Sequence, residues 1–309
     1  GACAKNLMRF FRRKAEGGLT ASLRLADRIA YARVDRRVAV PRLLAAGEVA
    51  VAGENWREAL ANLHARGPAS LVLRAADYRL RLVDAPNVPA DELKAAVRWQ
   101  IQDQLDFHAD DGTFDVLAVP HPEHLSHVRQ LFAVAARNTL LADETALALA
   151  AGLDLKIIDI IETAQRNIAA RLEKPGRALA IFSFIESGGL LTLSLDGELC
   201  MARTLAVNPA ILDGGDLGAA LERPTLEIQR TLDHFDRQFG GIPVDRLLLA
   251  PLAQVERLRE GLAANLALPV EVLSLAEVLD TSALPDVAAL PPACFHAIGA
   301  ALRREDTQP

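Results

Sequence analysis

"RALAIFSFIESGGLLTLSLDGELCMARTL", residues 177–205, reads as three short strands joined by two tight turns. The apolar runs are strand-length, and turn residues bound each of them. The first turn holds Glu186-Ser187-Gly188-Gly189, a glycine pair straight after an apolar strand. Several folds cradle a phosphate at that placement, because backbone N–H groups in a tight turn converge on an anion. The stretch therefore poses one question: whether a phosphate site survives here or only its frame.

Composition narrows the classes. The 309 residues suggest about two domains. With 51% hydrophobic and 24% charged residues, the chain has the material for a large core. No apolar run approaches the ~20 residues of a membrane helix; Leu247–Leu252 is strand-sized. A net charge of −6 and 5% aromatic residues argue against nucleic-acid binding. Cys3, Cys200 and Cys294 are scattered and form neither a disulfide framework nor a CxxC pair, which fits a reducing compartment. Residues 5–14, "KNLMRFFRRK", carry five basic residues and no acid. Without a long apolar stretch or cleavage site they are no secretory signal. Two readings stand: a flexible leader over 1–17, or a segment making weak contact with an anionic membrane surface.

Along the chain, "LTASLRLADRIAYARV" alternates with period two and breaks at Asp27-Arg28, where a hairpin turn is expected. "NWREALANLHARG" has helical spacing, and "ASLVLRAADYRLRLVDAP" reads as strand again. After Pro86 and Pro89, a helix is predicted from 89 or 90 to 106, with Leu93, Val97, Ile101 and Leu105 as its buried stripe. Trp99 lies about 180° from that stripe. It either packs against a neighbouring domain or awaits a partner. "GTFDVLAVP" and "HVRQLFAVAA" are strands, followed by a helix over Thr139–Ala151, so 89–152 reads as an inserted αββα unit. "LDLKIIDII" returns as a buried strand before the helix "ETAQRNIAARL". Beyond the linker Lys174-Pro175-Gly176 and the three opening strands, Pro224 is expected to start a long helix with stripe Ile228, Leu232, Phe235 and Phe239. "RLLLA" is a strand, "QVERLREGLAANL" a helix, "PVEVLSL" a strand entering another helix, and "CFHAIGAALRR" a short amphipathic helix. Two α/β halves repeat without sequence identity between them.

Four stretches in this order, "LKAAVRWQIQDQLDF", "LEIQRTLDHFDRQFG", "VDRLLLAP" and "FHAIGAALR", resemble the PilM/FtsA-like actin-fold family of type IV pilus assembly proteins. Within it, the likeness is greatest to the branch serving mannose-sensitive haemagglutinin (MSHA) pili, and it covers roughly 19–304. The resemblance implies an α/β, actin-like (ribonuclease H-like, duplicated) fold of two lobes with the αββα insertion. The first lobe would take 18–88, 153–174 and 290–304, the insertion 89–152, and the second lobe 175–289. It also implies a cytoplasmic adaptor, peripheral to the inner membrane, that binds the cytoplasmic tail of a PilN-like bitopic protein. That tail is expected where the first lobe meets the insertion, beside Arg98, Trp99 and Gln102. The pilus assembly ATPase and further copies of the chain are other partners the resemblance allows.

Members of this fold bind Mg-ATP through two strand-turn-strand loops of the type D-x-G-x-x-x-[ST] and a third, glycine-rich segment. Here Thr20, Ala21 and Ser22 stand where the first D-x-G would be. In the second loop Ser183 stands near the expected Asp, Glu186 is displaced from it, and Ser187, Gly188 and Gly189 keep the turn. Ala250-Pro251-Leu252 replaces the third segment's glycines, and Glu227 and Arg230 fall on the long helix beside the expected nucleotide. These departures at three loops lead to the expectation of a degenerate cleft and a pseudo-ATPase, without catalysis. Two alternatives remain: a nucleotide-regulated ATP-binding protein of the same fold, and the cytoplasmic domain of a GspL-like type II secretion component, which would continue into a membrane helix.

Other clusters are weaker. His121, Glu123, His124 and His127 share one short loop, where a solvated hairpin loop is expected in place of a metal site. Asp106, Asp110, Asp111 and Asp115 lack the alternate spacing of a calcium loop. No GxSxG, Walker loop or GxGxxG occurs.

Overall fold

The computed structural model describes residues 18–65, 67–121, 128–284 and 286–303. The basic leader and Glu123, His124 and His127 of the histidine loop lie outside the described residues.

The first lobe opens with an antiparallel meander, β1 (Leu19–Arg24), β2 (Arg28–Asp35) and β3 (Arg42–Ala50), whose first turn falls at Asp27 as expected. After α1 (Trp56–Ala61), β4 (Pro68–Leu73) returns parallel to β1. β5 (Tyr78–Asp84), α2 (Leu93–Ile101), β6 (Gly112–Ala118), β7 (Gln130–Arg137) and α3 (Asn138–Ala150) follow. β8 (Asp154–Ile160) then completes a sheet of order β3-β2-β1-β4-β8 and leads into α4 (Ile161–Ala169). The second lobe repeats the plan with β9 (Ala178–Ile185), β10 (Gly188–Leu195), β11 (Glu198–Leu205), α5 (Leu217–Gln238), β12 (Val244–Leu249), α6 (Val255–Ala263) and β13 (Val270–Val272). Its order, β11-β10-β9-β12-β13, is the same: a meander followed by two parallel additions. Parallel neighbours need crossovers of a dozen or more residues, which is why helices intervene only after the third strand of each lobe. α7 (Cys294–Ala301) closes the described chain.

The third sheet departs from the αββα expectation. Its order is β5-β7-β6, so β5, read from sequence with the first lobe, pairs with the insertion. A turn closed by Asp77 N–H to Arg74 O, and by the Arg74 guanidinium on Asp77 at 2.8 Å, splits the run that alternation alone read as continuous. Along β7 the faces alternate. Leu131, Ala133 and Ala135 meet Val97 and Ile101 of α2, while Phe132 joins the core of the second lobe. α3 turns away, burying Ala148 against Ile29, Ala59 and Leu60 of the first lobe. Tyr78, at the start of β5, donates its hydroxyl to buried Glu162 of α4 and so ties the third sheet to the first lobe.

Four helix readings differ from the structure. α2 spans 93–101, and residues 102–104 continue it as a single tight 3₁₀ turn. α5 starts at Leu217, capped by Asp216, which accepts the Ala219 N–H at 3.0 Å. Pro224 is therefore inside the helix, where it gives up one hydrogen bond and buries its ring. After β13 only a 3₁₀ turn forms, over Leu275–Glu277. α7, expected to be amphipathic, is buried at every residue.

α4 and α7 cross between the sheets, and one core cluster joins both to Leu23 of β1, Leu179 and Ile181 of β9 and Leu190 of β10. At the crossing a methyl group on Gly299 would run into the carbonyl oxygen of Ala164. Gly299→Ala is accordingly expected to lower stability by about 1–3 kcal/mol, as overpacked cores do, measured by urea unfolding of the two proteins.

Candidate functional site

The two β-hairpin turns that the sequence singled out face each other across the lobes. The Ala26 N–H, in the β1–β2 turn, donates to Glu186 Oε1 in the β9–β10 turn at 3.1 Å. Glu186 and Ser187 line a half-enclosed cavity of about 330 Å³, with walls that include Leu23, Leu25, Ile161 and Phe184. The arginines at its rim are already paired. Arg28 lies 2.8 Å from Asp27 and 3.0 Å from Glu48, and Arg74 is held by Asp77.

The other predicted cleft residues scatter. Thr20 and Ser22 are buried within β1, in register with Ala69 and Leu71 of β4, and do not line the cavity. Glu227 accepts from Arg223 at 3.1 Å on α5, and Arg230 is exposed on the same helix; neither reaches the cavity. Gly188 has φ 139°, and a side chain there would strike the carbonyl of Leu205. At Gly189 an added methyl would sit 2.5 Å from the Phe182 ring and 2.8 Å from Val207. The glycine pair thus answers to close packing of β10 on its neighbours. Ala250, Pro251 and Leu252 close with Phe182 and Ser183 on a void of only about 10 Å³.

Ser183 belongs to a buried network that sequence reasoning missed. Its hydroxyl donates to Gln165 Oε1 at 2.6 Å, because Gln165 Nε2 is spent on Ile181 O at 2.9 Å and Thr192 Oγ1 at 2.8 Å. Ser183 Oγ also lies 3.1 Å from His296 Nε2. With its own proton committed, the serine oxygen accepts from the imidazole, so Nε2 carries the ring proton. Burial pushes the His296 pKa down to about 3, which keeps the ring neutral. No local pattern marks His296: its partner Ser183 lies 113 residues away, a separation that only folding closes.

Of the residues predicted to border a partner groove, Trp99 is 68% exposed on α2, so it does not pack between subdomains. Arg98 pairs with Asp110, and Gln102 is half-buried in the 3₁₀ turn. Among the described residues, no group of three or more His, Cys, Asp or Glu is arranged to hold a metal ion.

Two lobes with one strand order, two facing hairpins and a pair of central helices define the architecture. The fold is the actin-like ATPase fold. A chain of the PilM-PilN type IV pilus biogenesis complex superimposes with a TM-score of 0.71 at 18% identity, over 93% of this chain and 98% of that one. The cytoplasmic domain of EpsL, an inner membrane component of the type II secretion system of Vibrio cholerae, gives 0.47 at 15% identity, over 75% and 82%. A Bacteroides thetaiotaomicron protein with an actin-like ATPase fold and unknown function gives 0.47 at 9% identity, over 90% and 98%. No family model and no curated protein matches the chain. Among the described residues, no helix is long and apolar enough to cross a membrane.

The neutral His296 has a consequence in acid. The unfolded chain takes up this proton near pH 6.5, whereas the folded chain does so only near 3. Stability is therefore fully present above 6.5 and falls by about 1.4 kcal/mol per pH unit below it. In His296→Gln that component should vanish, so the loss between pH 7 and pH 5 should be about 2 kcal/mol smaller than in the unmodified protein, read from urea unfolding at the two pH values.

Proposed function

We propose that this chain is a non-catalytic scaffold of bacterial type IV pilus biogenesis that docks the cytoplasmic tail of a PilN-like inner-membrane protein. The observation that carries the reading is the Glu186 carboxylate on the Ala26 N–H, because a protein acid stands where the two hairpins of this fold would share a phosphate. The residues present do not fit Mg-ATP. A triphosphate entering the cavity would meet Glu48 and Glu186. Ser183 is committed to Gln165 and His296, Thr20 and Ser22 are buried away from the cavity, and the two carboxylates on the lining already have partners, Glu186 the Ala26 N–H and Glu48 the Arg28 guanidinium. The space beside Ala250-Pro251-Leu252 is too small for a base.

Docking is assigned to the insertion. An exposed tryptophan flanked by Arg98 is the residue type that anchors peptide interfaces, and the PilM-PilN complex is the structural counterpart in which a partner is present. Within this class we assign the chain to the MSHA branch, with MshI as its counterpart, on the four stretches set out above.

Two measurements bear on the two halves of the proposal. A fluorescent ATP analogue with Mg²⁺ should show no saturable binding at micromolar concentration; saturation would favour the nucleotide-regulated alternative. A synthetic peptide of the PilN-like tail should bind, and Trp99→Ala should weaken it at least about tenfold, as loss of an interface hot spot does. Full affinity in the variant would remove Trp99 from the site.

A further inference from the structure

We propose that the cavity between the lobes binds an uncharged, largely apolar small molecule carrying a hydroxyl group. The proposal shares with the scaffold reading the finding that this cavity does not fit Mg-ATP, but not the docking of a tail at Trp99, which is tested separately.

Three observations converge on it. The first is size. About 330 Å³ falls within the range of small-molecule sites, about 300–1,000 Å³, and ordinary packing leaves few apolar voids larger than a water molecule. The walls are supplied by both lobes, Leu23 and Leu25 from the first and Phe184 and Ile185 from the second, with Pro292 and Ala293 at the entry to α7.

The second is the state of the charges. Each charged side chain on the lining has a partner within the protein: Arg28 with Asp27 and Glu48, Arg74 with Asp77, and Glu186 with the Ala26 N–H. An ionic ligand would compete with these contacts for groups that already have a partner, or carry its charge into the apolar wall unpaired, which is costly. An uncharged ligand leaves all of them in place. Water-sized polar solutes gain little from walls of leucine, isoleucine and phenylalanine, whereas a hydrocarbon body gains in proportion to the area it buries.

The third is the one uncharged polar side chain on the lining that belongs to the core, His296. Because Ser183 donates to Gln165, the imidazole donates through Nε2, and its second nitrogen, Nδ1, is left as a hydrogen-bond acceptor. His296 is only 1% exposed and borders the cavity by its edge; a neutral acceptor there would favour a ligand with an O–H donor over a pure hydrocarbon and over a carboxylate, which offers only acceptors.

The test uses the full chain with 1-octanol, 1-chlorooctane and octanoate as probes, followed by methyl-resolved NMR and calorimetry. 1-Octanol should bind saturably at one site, shift the methyl signals of Leu23 and Leu25, and bind more tightly than either 1-chlorooctane or octanoate. Ala293→Phe and Ala75→Phe, each filling part of the cavity, should weaken it at least about tenfold. The proposal is overturned if 1-octanol fails to saturate up to its solubility limit, if the shifts fall only outside the cavity, or if octanoate or 1-chlorooctane binds as tightly. Displacement of 1-octanol by Mg-ATP would likewise overturn it. The methyl shifts are read on the unmodified protein, so they decide the matter even where a filled variant does not fold.

Discussion

α4 and α7 approach so closely that only a hydrogen atom fits between Gly299 and the carbonyl of Ala164, and the rest of the molecule is arranged around that contact. α7 packs on β1 and β2 of the first lobe, while α4 reaches across to β10 through Gln165, which bonds Thr192. Asn167 returns the link by donating to Gly299 O at 3.0 Å. One apolar cluster therefore runs from the first sheet through both helices into the second, and the lobes share a core that neither could complete alone. Helices in such a position have no solvent face, which is why α7 lacks the polar stripe expected of a terminal helix.

That shared core also sets the geometry of the cleft. With the lobes fixed by the helix crossing, the two hairpin turns meet, and Glu186 can satisfy the Ala26 N–H directly. The buried network of Ser183, Gln165, Thr192 and His296 lies between the same elements, and every member has a hydrogen-bond partner. Buried polar groups paired in this way specify one arrangement of the packed elements. The cleft thus combines a polar interior seam, a paired rim and an apolar wall.

The elements themselves were largely legible. Alternation marked β1 and β2, apolar runs bounded by turn residues marked β9 and β10, and the stripes of α2 and α5 marked their buried faces, because run length and a 2.0 or 3.6 period are local properties of the chain. The misreadings share a different cause. Pro224 signals a helix start only where nothing upstream competes, and Asp216 supplied an earlier cap. β5 alternates like its neighbour β4, yet which sheet it joins depends on the turn at Arg74-Asp77 and on pairing with β7, which follows only after α2 and β6. Of the candidate cleft residues, Glu186 and Ser187 line the cavity, while Thr20, Ser22, Glu227 and Arg230 do not, since register within a motif does not say which side of a strand or helix faces the cleft.

By itself the sequence determined the element order, the repeat of two α/β halves and the residues Thr20-Ala21-Ser22 and Ser183 at the loop positions the resemblance singles out, all carried by residue identity and short-range period. Only the tertiary structure decided what the glycine pair at 188–189 is for. Leu205, Phe182 and Val207 crowd it from strands whose approach no local pattern encodes. It also decided what Glu186 meets, because Ala26 and Glu186 are 160 residues apart and come together only when the buried helices bring the lobes together.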